Sequence, residues 1–71
     1  MNADKTAKLV KMANQIGDYF APRPPAAAAA GTADHMRQFW TPKMIGEIVA
    51  ASLSGEVGLN PTASDAVKSL K

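Results

Sequence analysis

His35 is the one histidine in the sequence, standing beside Asp34 and four residues before Phe39. An imidazole acts as a general base or a metal ligand when a carboxylate orients it or further ligands converge on it. Helical spacing points Asp34 and His35 to different sides, so the two form no local dyad. What remains is a polar ring bordering an aromatic cluster. Glu47 and Glu56 are the only glutamates, separated by a predicted helix end, and read as solvated surface charges. Cysteine is absent, which removes disulfides, thiolate metal sites and nucleophilic thiols together. Gly46, Gly55 and Gly58 lack the preceding strand and following lysine of a phosphate-cradling loop. These residues offer no support for catalysis by this chain alone, and no metal or cofactor site is expected within it.

Binding is better represented. Lys5, Lys8 and Lys11 gather at the head of the first predicted helix and could form a basic patch. A free-standing basic mini-domain that holds nucleic acid is the alternative reading they support. The formal net charge is only +2, however, and the segment from His35 to Ser54 makes a poor helix–turn–helix. A recognition helix needs basic and polar side chains on its exposed face, and Lys43 stands there almost alone beside Glu47. The methionines and aromatics carry a different message. Met12, Met36 and Met44 put one adaptable thioether on the apolar face of each longer helix, near Tyr19, Phe20, Phe39 and Trp40. Those residue types are enriched at the centres of protein interfaces. The expected partner surface is therefore Met12, Ile16, Tyr19, Phe20, Met36, Phe39, Trp40 and Met44, with His35 and Arg37 supplying polar contacts at its edge.

Helices must position these groups. From Lys5 to Phe20, the residues Leu9, Met12, Ala13, Ile16, Tyr19 and Phe20 recur at the spacing of a core-facing stripe, and Lys8, Lys11, Asn14, Gln15 and Asp18 fall opposite. Pro22, Pro24 and Pro25 end that helix, and residues 21–25 read as an extended connector. A second helix is expected over residues 26–40, with His35, Met36, Phe39 and Trp40 on one arc. Thr41-Pro42 is a start signal for a third, over 42–54. It turns Met44, Ile45, Ile48, Val49 and Ser52 inward, and Gly55 is placed to stop it. Asn60-Pro61 starts a short fourth helix over 61–70 with Ala63, Ala66, Val67 and Leu70 inward. The expected fold is all-α, a single small domain of three to four short helices over residues 1–71.

Size sharpens the partner reading. The chain has 71 residues, and 14 members of its 46% hydrophobic fraction are alanine, which adds little area to a core. Domains this short bury only about 60% of the surface their unfolded chains expose, and are marginal without disulfides, metal or a partner. No secretory signal or membrane-length apolar run is apparent, so a cytoplasmic location and no membrane association are expected.

The residues also resemble a family. Leu9-Val10-Lys11-Met12-Ala13-Asn14-Gln15-Ile16-Gly17-Asp18-Tyr19-Phe20 is similar to the opening motif of the delta subunit of NAD-dependent formate dehydrogenases. Ala33-Asp34-His35-Met36-Arg37-Gln38-Phe39-Trp40-Thr41-Pro42-Lys43-Met44 resembles its central His-x-Arg-x-Phe-Trp-x-Pro-x-Met pattern. Gly58-Leu59-Asn60-Pro61, followed by Ala66-Val67 and Leu70, resembles a third block. The resemblance implies a non-catalytic subunit of a cytoplasmic bacterial complex that oxidises formate with NAD. It also implies a large catalytic subunit as the partner. That subunit would carry a molybdenum or tungsten pterin and iron–sulfur clusters, with FMN and further clusters on other subunits. The small subunit would support assembly, cofactor insertion or stability.

Overall fold

The computed structural model describes residues 2–53 and 58–70, with side chains from residue 6 onward. Four α-helices account for the regular structure among the described residues: α1 (Asn2–Phe20), α2 (Pro25–Phe39), α3 (Pro42–Leu53) and α4 (Pro61–Ser69). The all-α expectation holds. Helix ends differ from the predicted ones by small amounts. α1 begins three residues before Lys5, and α2 takes Pro25 as its first residue because a fixed φ and a missing N–H suit that position. Trp40 lies just beyond α2 in an extended conformation, its N–H still donating to the Met36 carbonyl at 2.8 Å. The anticipated stop at Gly55 and the surface position of Glu56 lie outside the described residues.

Three connections have identifiable causes. The stretch after α1 turns instead of running extended, with the Arg23 N–H donating to the Phe20 carbonyl at 3.0 Å. Arg23 gains from the turn, since its guanidinium lies 4.8 Å from the Phe20 ring centroid and 5.6 Å from that of Tyr19. Thr41 caps α3 as anticipated, its Oγ1 accepting from the Met44 N–H at 3.2 Å. Asn60 caps α4 by accepting from the Ala63 N–H at 2.8 Å.

Leu9, Ala13, Met36, Trp40, Ile48, Ala63 and Val67 form the buried core, drawing at least one residue from every helix. α4 packs against α1, α2 and α3 together, and α1 also meets α2 and α3. Two faces differ from expectation. Asn14 and Asp18, assigned to solvent, instead hold the start of α4. Asn14 accepts from the Asn60 N–H at 2.8 Å and donates to the Gly58 carbonyl at 2.6 Å, while Asp18 accepts from the Asn60 amide at 3.0 Å. Gly58 has φ +130°, a backbone region that favours glycine, and its carbonyl reaches α1 from there. Glu47 is half-buried and not fully solvated.

Small residues set the helix spacing at two crossings. A Cβ at Gly17 would come within 2.9 Å of Asn60 Oδ1, so the missing side chain lets the cap approach α1. A Cβ at Gly31 would stand 2.7 Å from two carbons of the Phe20 ring. The alanine-rich half of α2 therefore receives an aromatic ring from α1 at its one glycine. This seating places Phe20 at the mouth of the surface described next.

A candidate docking groove between three helices

The later turns of α1, the end of α2 with Trp40, and the first turn of α3 enclose an open groove of about 790 Å³. Met12, Gln15, Ile16, Tyr19 and Phe20 form the α1 wall. His35, Phe39 and Trp40 form the facing wall, and Met44 comes from α3. The α1 members follow from period: Met12, Gln15, Ile16 and Tyr19 are three or four residues apart and so share one face. His35 and Phe39 are likewise one turn apart, and their rings pack with centroids 4.6 Å apart. Tyr19 and Phe20 meet edge to face at 5.0 Å and 88°.

Eight of the ten residues expected at a partner surface line this groove. The other two do not. Met36 is 0% exposed and belongs to the chain's own core. Arg37 faces away, donating to Asp34 at 3.2 Å and to the Ser69 carbonyl at 2.9 Å, so it ties α2 to the end of α4. Gln15 is the groove residue that sequence reasoning put on the wrong face. Its position one turn before Tyr19 was the signal for its place here.

Within the groove, burial is graded. Trp40 is 7% exposed and forms part of the floor, whereas Tyr19 and Phe39 are 70% and 69% exposed at the rim. Both rim residues sit on stripes that looked core-facing in the sequence. A folded chain of this size gains from burying every large ring it has, so two rings left in water across one groove form an unfilled apolar surface.

The polar groups of the groove are the Gln15 amide, the Tyr19 hydroxyl and the His35 imidazole, set among thioethers, aromatics and Ile16. Asp34, the nearest carboxylate to His35 in sequence, is engaged by Arg37 in an exposed i,i+3 ion pair. Among the described residues, no group of three or more His, Asp or Glu side chains is placed to hold a metal ion. No helix is long and apolar enough to cross a membrane, again among the described residues. Lys8 and Lys11 are exposed on α1, and the Lys5 side chain lies outside the described set.

Comparison with known families gives a match over most of the chain. The family model for the NADH-dependent formate dehydrogenase delta subunit FdsD matches residues 8–67. That span contains the whole groove. Neither a curated protein nor a solved structure matches the chain.

Proposed function

The chain belongs to the family of NADH-dependent formate dehydrogenase delta subunits, and on that premise we propose that it acts as a non-catalytic accessory subunit of a cytoplasmic formate dehydrogenase. It binds the large catalytic subunit and supports assembly of the complex, insertion of its cofactor or its stability. The molybdenum or tungsten pterin, the iron–sulfur clusters, FMN and the NAD site reside on other subunits in this reading. The observation that carries it is the groove: aromatic and thioether side chains from three helices converge on a surface that none of the described residues covers.

Two properties of the groove support docking over catalysis. Its lining is dominated by residue types that interfaces use as anchors, and the anchors are graded from a buried floor to an exposed rim. Its polar side chains are an amide, a phenol and an imidazole, with no serine, cysteine or carboxylate among the lining residues. The test is co-expression of the tagged chain with the formate dehydrogenase subunits, followed by purification and assay of formate-dependent NAD reduction. Tyr19→Ala and Phe39→Ala alter exposed rings, so both variants should fold as the parent does. Each should weaken affinity for the large subunit about thirtyfold if its ring is an anchor, the equivalent of about 2 kcal/mol, and co-purification should fall accordingly. Undiminished co-purification in both variants rules the groove out as the docking surface.

A further inference from the structure

α4 occupies one side of the helical framework, packed on α1, α2 and α3, whereas no described helix covers the side lined by Tyr19 and Phe39. Resting on the accessory-subunit reading, we infer that the groove receives an amphipathic helix of the partner subunit with acidic residues flanking its apolar stripe. Shape and charge both lead to this occupant. The groove runs between a wall from α1 and a wall from α2, with Trp40 in its floor, and such a groove accepts apolar anchors at i, i+3, i+4 and i+7 of a docked helix. A volume near 790 Å³ holds several large side chains, the number such a helix presents over two turns.

The charge around the channel has one dominant sign. Lys8 precedes Met12 by one turn and Lys11 precedes Gln15 by one turn, so both extend the α1 wall with exposed ammonium groups. Arg23 closes the other end of that wall, its guanidinium 4.8 Å from the Phe20 ring centroid. On α3, exposed Lys43 adjoins Met44, and half-buried Glu47 follows one turn later, so the two offset each other. Of the remaining neighbouring carboxylates, Asp34 is offset by Arg37, whereas Asp18 accepts from the neutral Asn60 amide, keeps its charge and offsets one of the cations along the α1 wall. Among the described residues, Lys8, Lys11 and Arg23 thus bracket the α1 wall with positive charge. A second copy of this chain would bring the same cations into opposition, which disfavours self-association through the groove and favours an acidic partner.

The decisive experiment uses the assembled complex. Phe39→p-benzoylphenylalanine places a photo-cross-linker at the exposed rim, and mass spectrometry identifies the peptide captured. The expected product is a helical segment of another subunit with Asp or Glu on either side of its apolar stripe. In parallel, Lys8→Glu/Lys11→Glu/Arg23→Glu should lower affinity for the large subunit at least about tenfold, with an unchanged far-ultraviolet circular dichroism spectrum. The loss should shrink as salt is raised, because exposed charges are screened. A cross-link to a second copy, to an extended or basic segment, or no cross-link in a complex that still co-purifies, overturns the inference. So does a charge-reversed variant that binds as the parent does. Failure of the parent chain to co-purify at all sinks the accessory-subunit reading itself, and is a separate result.

Discussion

Trp40 and Phe39 are adjacent, yet one is 7% and the other 69% exposed, and this contrast separates folding from the proposed docking at the level of single residues. Truncating Trp40 to alanine removes a floor and core residue at once. The expected cost is about 3–5 kcal/mol of stability, read as a lowered urea midpoint or outright loss of the helical circular dichroism signal. Phe39→Ala should leave stability within about 0.5 kcal/mol of the parent's, as surface changes do. Gly31→Val tests the seat of Phe20. Its Cβ would lie 2.7 Å from the ring, so the ring must be displaced, at about 1–3 kcal/mol in chemical denaturation. The types of these residues were legible in the sequence, and so was their convergence, because i, i+3 and i+4 spacing brought them to one face. Which of them are private was not legible. Periodicity assigns a side chain to a face but cannot say whether another helix covers it, and Met36 and Tyr19, both on apolar stripes, end at 0% and 70% exposure.

At the scale of elements, both start signals read in the sequence were realised, with Thr41 and Asn60 capping α3 and α4. Local chemistry of this kind is readable because cap and helix lie within a few residues of each other. The attachment of α4 to α1 was not readable, since Asn14 and Asn60 are 46 positions apart and an Asn on an exposed-looking face announces nothing. Asn60→Ala removes the cap and the side-chain bonds to Asn14 and Asp18 together. We expect a cost at the upper end of the about 0.5–2 kcal/mol measured for caps, and faster hydrogen exchange concentrated in the amides of α4. Gly46 gives the opposite prediction. It sits inside α3, and a methyl group added there would meet nothing within 4 Å, so Gly46→Ala should raise stability by about 0.8–1.0 kcal/mol in equilibrium unfolding.

For the whole molecule, the core is small: alanine supplies six of the eleven buried hydrophobic residues among those described. Such a chain is marginal alone, and anything that binds only its folded form stabilises it by mass action. On the proposed docking, with the large subunit at about 100 times the dissociation constant, the gain is about 2.7 kcal/mol. For a domain of this size that corresponds to a rise of roughly 10–20 °C in Tm, measurable by scanning a labelled chain with and without the partner. An unchanged Tm would mean that docking does not select the folded state described here. Trp40 adds an optical consequence. It is the chain's only tryptophan and forms part of the groove floor, shielded from water by the chain itself yet bordering whatever enters. An indole's emission follows the polarity and quenchers around it, and the groove it shares also holds the thioethers of Met12 and Met44 and the imidazole of His35. The free subunit thus carries an intrinsic fluorophore at the one place where an occupant would alter its surroundings. Encounter with a tryptophan-free fragment of the partner can be timed in a stopped flow with no added label.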